Sequence, residues 1–351
     1  MMKKLTVRQL KALEFIKVHG AVGNRDIKEF LSEEFGDVSR ITVARDVDSL
    51  LKNNLIVKKG KGRSVLYKEN IQSEILKYID VESYFQKSID ERKILESFNF
   101  DIFKILQNIF SKEEIKELEK FNKDYQKRIK KLSPTIIKKE FERLIIELSW
   151  KSSQIEGNTY SLIDTEVLIK DKQEAKGHSK EEAIMILNHK RAIDFVRDKK
   201  DNFKKLNLRK IEDIHSLAAD NLGVAKGLRK RMVGITGTKY SPIDNQYQIR
   251  EALEKMIEIV NSVKDPFSKA FVAILMVSYI QPFEDGNKRT ARLLGNAILF
   301  AYNVCPLSYR SVDKSDYKKA IIIFYEQNSA RFFKKIFVEQ FKFAVDNYFR
   351  A

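Results

Sequence analysis

Two apolar runs at helical spacing, Phe271–Ile280 and Leu293–Phe300, flank one short polar segment: Gln281-Pro282-Phe283-Glu284-Asp285-Gly286-Asn287-Lys288-Arg289-Thr290-Ala291-Arg292. Such runs read as buried helices, so a loop containing Pro and Gly sits between them and opens the second one. The start of a helix has free backbone N–H groups and a positive dipole end, and both favour an anion. Gly286 lets the backbone come close to a ligand. Arg289 and Arg292 are three apart, so they share a helix face and suit neighbouring phosphates. Asp285 is a hard oxygen ligand beside them, suited to Mg²⁺ that already carries phosphates. These residues describe a Mg-nucleotide site. The plainer alternative is a surface helix start with a solvated charge run, and it explains less of the Gly-Asn pair between a carboxylate and two spaced arginines.

The rest of the chain reads as mainly α-helical. Its 351 residues include only 5 prolines and 13 glycines. Apolar residues recur at helical spacing, as in Phe141, Leu144, Ile145 and Leu148. An apolar fraction of 43% is enough for a sizeable core. No stretch is apolar for long enough to span a bilayer, and the start is not a signal core. A cytoplasmic protein with no membrane partner is therefore expected. The single cysteine, Cys305, excludes an internal disulfide or a Cys-cluster metal site and reads as a core thiol. The net charge of +17 suits an acidic partner but also follows from Lys-rich composition, so it permits nucleic acid without arguing for it.

Residues 1–70 read as three helices followed by a hairpin. The first helix runs from Thr6 to about His19, with Leu10, Leu13 and Ile16 inward. The second is capped by Asn24. The third is capped by Ser39, with Ile41, Val43, Val47, Leu50 and Leu51 inward and Arg40, Thr42, Arg45, Asp46 and Ser49 outward. Two β-prone runs, Leu55–Val57 and Val65–Tyr67, then enclose a basic glycine turn. This is the winged-helix order. A helix presenting Arg40, Thr42 and Arg45 suits the major groove of DNA. A hairpin tip with Lys59, Lys61 and Arg63 suits backbone phosphates. The stretch Ser39–Leu50 resembles the recognition helix of DeoR-type repressors, which makes DNA the expected partner and a protein-binding winged helix the alternative. Residues 71–134 read as a helical connector with no chemistry of their own, with a capped helix start at Ser111 and a break at Ser133-Pro134.

The segment Gln281–Arg292 resembles the signature of the Fic family, His-Pro-Phe-x-Asp/Glu-Gly-Asn-x-Arg-x-x-Arg, at every defined position but the first. The resemblance covers roughly Phe121 to the C-terminus. It implies an all-helical core with a small β-hairpin flap over residues 135–351, and transfer of AMP from ATP to a protein hydroxyl. It also assigns roles: Asp285 to Mg²⁺, Gly286, Asn287 and Lys288 to the nucleotide, Arg289 and Arg292 to its outer phosphates. Lys288 stands where Gly is commoner. The run Ser152-Ser153-Gln154-Ile155-Glu156-Gly157 resembles the inhibitory motif of the branch in which an inhibitory helix precedes the core. On that resemblance Ser152, Glu156 and Gly157 form the motif, and Glu156 pairs with Arg292 and denies it to the γ-phosphate. Taken alone, the same residues read as a helix end. The segment Val233–Pro242 resembles the flap, so Thr236, Gly237, Thr238 and Tyr240 are expected to align a target segment by strand addition. A homodimer is expected by analogy, both for a DNA reader and for this family.

The departure is at the first position. The family's general base is a histidine, and this chain has Gln281. A glutamine amide has no useful basicity, and losing a general base typically costs about a hundred- to ten-thousand-fold in rate. His19, His178, His189 and His215 are all distant from the loop in sequence. Three readings stand: an AMP transferase that is weak or inactive, a nucleotide-sensing regulator whose core binds ATP while the N-terminal domain reads DNA, or a transferase that needs no base here, with Glu156 as a substitute.

Overall fold

In the computed structural model, residues 5–60, 62–70 and 74–350 are described, with the side chain of Arg63 outside that description. Lys61 and the Arg63 side chain, expected at the hairpin tip, therefore lie outside the described residues. The chain divides into two compact units, Met1–Tyr78 and Ile79–Ala351.

The first unit contains α1 (Val7–His19), α2 (Asn24–Phe35), α3 (Arg40–Lys52), β1 (Ile56–Lys59) and β2 (Leu66–Glu69). Thr6 caps α1 in a reciprocal capping box with Gln9. Ser39 caps α3 by accepting from the Thr42 amide. The cap of α2 is Gly23 rather than Asn24, because the Asp26 carboxylate reaches back to the Gly23 amide at 2.8 Å. β1 and β2 pair antiparallel, Ile56 opposite Glu69 and Lys59 opposite Leu66. Val22 joins them through two backbone bonds to Tyr67. Ala12, Leu13, Ile16, Ile27, Leu31, Val43, Val47, Leu50 and Ile56 form the core of this unit.

Two expectations for α3 fail. Ile41 is 67% exposed, on the outward side of the first turn. Asp46, expected outside, is buried: its carboxylate accepts from Arg8 Nε at 2.5 Å and from Gln9 Nε2 at 3.1 Å. A carboxylate with this many charge-assisted partners is stable under cover. Arg40 and Arg45 are exposed and Thr42 is half-buried.

The second unit is helical: α4 (Val81–Gln86), α5 (Ile102–Ile105), α6 (Lys112–Ile129), α7 (Pro134–Ile155), α8 (Leu162–Asp171), α9 (Lys180–Asp198), α10 (Leu208–Ala218), α11 (Gln246–Ser262), α12 (Pro266–Ile280), α13 (Asn287–Ala301), α14 (Lys314–Gln327) and α15 (Arg331–Asn347). Ser111 and Ser133 cap α6 and α7, and Pro134 opens α7, so the expected break is a helix junction. α12 and α13 are buried at every residue but Pro266 and Lys288, and pack on each other at the centre. Gly295 permits this: a Cβ there would lie 2.4 Å from Ile274 Cδ1. α7, α9, α10, α11 and α14 surround the pair. Cys305 is a buried free thiol. Among the described residues no helix is long and apolar enough to cross a membrane.

Residues 92–99 depart from the helical pattern expected of a connector. They form no helix, and two of their backbone groups are engaged by other parts of the unit. The Leu95 amide donates to Glu326 O at 2.9 Å, and Glu96 O accepts from the Ser241 amide at 2.8 Å.

Candidate active site

The polar loop joins α12 to α13 at the centre of the second unit. α12 ends at Gln281 in the left-handed conformation, φ +50°. Gly286, φ +76°, is the residue before α13, a conformation that glycine takes without steric cost. Asn287 shapes the loop with its side chain: Oδ1 accepts from the Phe283 amide at 2.9 Å and Nδ2 donates to Phe283 O at 2.8 Å. It was expected to contact phosphate. The side chain is thus engaged by Phe283, and the backbone N–H at the start of α13 is a further donor available to an anion.

Both arginines of the segment are internal, not members of a solvated charge run. Arg289 is 2% exposed; Nη1 donates to Ala218 O at 2.9 Å and Nη2 to Asp285 Oδ2 at 3.2 Å. Arg292 is fully buried. Its Nε donates to Ser152 Oγ at 2.9 Å, and its Nη2 to Ser152 O at 2.9 Å and Glu156 Oε1 at 2.8 Å. The Tyr317 ring lies 5.3 Å from its guanidinium carbon. Lys288 Nζ stands 3.6 Å from Glu156 Oε2, so each carboxylate oxygen faces a different cation. Burial pushes the Glu156 pKa up, but Arg292 and Lys288 outweigh it and hold the carboxyl below its ordinary value.

Glu156 sits at the C-cap of α7, followed by Gly157 at φ +110°. A carboxylate at a helix C-terminus is unfavourable with respect to the dipole. Its position is therefore set by the arginine across from it rather than by the helix it ends.

Gln281 is 7% exposed. Its Nε2 donates to Ser278 O at 2.6 Å and to Tyr325 Oη at 3.1 Å. A carbonyl only accepts, so the nitrogen is the atom turned to Ser278 and both amide hydrogens are used. The amide oxygen remains. Gln281, Glu156, Tyr317, Tyr325, loop residues 284–288 and Val233–Thr236 line a cavity of about 380 Å³, within the usual range for a small-molecule site.

The flap differs from its expectation. Residues 233–240 turn at Thr236-Gly237 but form no ladder between two strands. Side chains take the backbone groups instead: Thr238 Oγ1 accepts from the Tyr240 amide, and Arg92 donates to Gly237 O. Thr236 is exposed and lines the cavity, and Gly237 has φ +91°. Tyr240, expected to face a target, is 2% exposed, donates to Tyr279 O at 2.9 Å and stacks on Tyr279 and Tyr325. It anchors the flap to the core.

Three further residues reach the site with no local sign in the sequence. Arg229 is buried, bonds Pro282 O through its amide at 3.0 Å and Gln281 O through Nε at 2.6 Å, and ties the flap's base to the loop. His215, on α10, donates from Nε2 to Asp285 O at 3.0 Å and stacks on Phe283 with ring centroids 3.7 Å apart. Burial pulls its pKa down to about 4. His189 is fully buried near both arginines, and burial followed by the Arg292 and Arg289 charges drives its pKa well below the ordinary histidine value.

A histidine whose folded pKa lies below its unfolded value of about 6.5 binds fewer protons when folded. Stability is then complete above that unfolded value and falls as pH drops toward the folded value of about 4. Urea denaturation at pH 7 and pH 4.5 should show a smaller loss of stability in His215→Asn than in the wild type, by on the order of 3 kcal/mol over the full window. His189 acts in the same direction in both proteins and cancels in the comparison. Equal losses in the two proteins would show that burial does not hold His215 neutral.

A match to the Fic/DOC family spans residues 205–299. The chain is 30% identical over 189 residues to protein adenylyltransferase Fic of Nematostella vectensis, covering 52% of this chain and 43% of that protein. It is 25% identical over 169 residues to protein adenylyltransferase fic-1 of Caenorhabditis elegans, covering 46% and 33% respectively. The chain thus spans less than half the length of these relatives. Among solved structures, C. elegans fic-1 superposes with a TM-score of 0.55 at 18% identity over 66% of this chain and 69% of that one. A Fic-domain signaling protein from Bacteroides thetaiotaomicron gives 0.54 at 21% identity over 66% of this chain and 92% of that one. At these identities the likeness is one of fold, and with the family match it establishes that the second unit carries a Fic/DOC family domain at residues 205–299.

Proposed function

We propose that the second unit binds Mg-ATP in the cavity beside the α12–α13 loop, that Glu156 holds the phosphate grip closed, and that AMP transfer to a protein hydroxyl is weak or absent while Gln281 holds the base position. The observation that carries this reading is the buried Arg292–Glu156 pair at 2.8 Å. A fully buried guanidinium needs an anionic partner, and a carboxylate from a neighbouring helix and a terminal phosphate are interchangeable in that role. The adenylyltransferase names of the relatives support the class of chemistry.

Asp285 is the residue for Mg²⁺. Its carboxylate is 71% exposed. That fits an ion that arrives on phosphates and takes a single protein carboxylate. When bound, it would supply positive charge against the triphosphate. The chain's own residues do the rest: the N–H groups at Gly286–Lys288 face the anion, Arg289 and Arg292 neutralise it, and Asn287, Arg229 and His215 keep the loop in shape.

In transfer, a target hydroxyl attacks the α-phosphorus, releases pyrophosphate and must give up its proton. Gln281 cannot take it: both its amide hydrogens are donated inward, and an amide oxygen is not basic. His215 is no substitute, since its proton-bearing Nε2 is spent on Asp285 O and its Nδ1 is buried without a partner. Glu156 is a poor base while Arg292 and Lys288 hold its charge.

A second reading has its own support. An intact phosphate grip beside an anchored glutamine suits a nucleotide sensor. The N-terminal unit has the helix and hairpin order of a winged helix, with Arg40, Arg45 and Lys59 exposed. On this reading it binds duplex DNA, and ATP occupancy alters that binding.

With α-labelled ATP and Mg²⁺, a Glu156→Gly protein should label itself or a lysate target poorly, and addition of Gln281→His should raise labelling by about a hundred- to ten-thousand-fold. Strong labelling with Gln281 in place would refute the missing-base argument. For the sensor, duplex DNA affinity should change with saturating Mg-ATP and fall in Arg45→Ala; identical affinity with and without nucleotide would remove the coupling.

A further inference from the structure

The flap's two sides are not equivalent. Val233–Thr236 line the nucleotide cavity. The 237–241 side is engaged by residues 90–97 of the same chain. Arg92 Nη2 donates to Gly237 O at 2.9 Å, at the turn. Lys239 Nζ pairs with Asp90 at 2.7 Å. The Ser241 amide donates to Glu96 O at 2.8 Å, and Ser97 and Ser241 form a parallel bridge. The segment is held on its other side by α14: Arg92 Nη1 lies 3.3 Å from the Glu326 carboxylate, which also accepts from Tyr84 Oη at 2.6 Å, and the Leu95 amide donates to Glu326 O. The Arg92 and Glu326 side chains are 4% and 0% exposed.

We propose that residues 90–97 are a built-in strap that fills the 237–241 side of the flap, with Arg92 as its positioning residue, so that an extended segment of a protein target adds only along Val233–Thr236. The physics is that of strand addition. An extended backbone offers its N–H and C=O groups to one neighbour on each side, and one side here is already taken. Arg92 joins the strap, the flap turn and α14, and α14 contributes Tyr317 and Tyr325 to the cavity. The guanidinium has the reach to do both jobs at once, because its donors diverge in a fixed fork. The flap turn is thereby held at a fixed height over the α12–α13 loop, with the cavity side left for the incoming segment. The consequence for target docking rests on the transferase reading. The pinning of the flap does not.

The test is backbone hydrogen exchange on the full chain. Arg92→Ala strands a buried Glu326, so Arg92→Lys is measured beside it; lysine keeps a cation next to Glu326 and loses the second donor. Both variants should exchange the amides of residues 236–241, that of Ser241 included, about tenfold faster or more. Amides of α12 and α13 and the affinity for Mg-ATP should stay as in the wild type. Unchanged exchange at 236–241 in Arg92→Lys would overturn the strap. So would an acceleration spread evenly through α12 and α13, which is what a merely structural arginine would give. A loosened flap supports the strap whether or not any target is modified, and labelling with α-labelled ATP tests the transferase reading separately.

Discussion

Arg292 is a full positive charge with no exposed surface, and it needs a partner wherever its helix is packed. In this structure the partners come from the last turns of α7: Ser152 through its hydroxyl and carbonyl, and Glu156 through its carboxylate. Removing one member of a buried pair typically costs about 3–5 kcal/mol, because the other is left uncompensated. On the proposed reading this makes the pair a gate rather than a simple brace. If Glu156 withdraws, the arginine is unsatisfied until another anion replaces it, and a phosphate matches its geometry. Lys288 faces the second carboxylate oxygen and adds to the charge that holds Glu156 in place.

The loop owes its shape to residues that do no chemistry. Asn287 bonds Phe283 twice, Arg229 holds the carbonyls of Gln281 and Pro282, and His215 holds that of Asp285. With these carbonyls tied back, the N–H groups at the start of α13 are left for a ligand. The same tying-back fixes Gln281 as an anchored amide. The groups that shape the loop are therefore distinct from those proposed to do its chemistry.

What the sequence disclosed follows from distance along the chain. The α12–α13 loop is contiguous, and its flanking helices declare themselves by unbroken apolar composition, so residues 281–292 were readable as one loop between two buried helices. The Ser152–Gly157 motif was readable only by resemblance, since a Glu-Gly pair at a helix end has an ordinary local explanation. His215 lies 70 residues from its partner Asp285, and Arg92 lies 234 from Glu326. Contacts at such separations leave no periodicity or spacing to read. Ile41 and Asp46 exchanged their expected sides because the inward face of a short helix is defined loosely at its first turn, and because Arg8, on a different helix, draws Asp46 in. Tyr240 stood in a polar Gly-Thr segment that looks like surface; only the Tyr279 and Tyr325 rings show why it turns inward. The absent flap ladder has the same origin, since Arg92 and Thr238 take groups that a second strand would have used.

The gate can be measured without any transfer chemistry. Calorimetric titration of Mg-ATP into the wild type and into Glu156→Gly reads the competition for Arg292 directly. The account predicts tighter binding in the variant by at least about tenfold, since the phosphate no longer displaces a carboxylate from a buried arginine. Equal affinity in two equally stable proteins would contradict it, and would mean that Glu156 closes a helix without guarding the site.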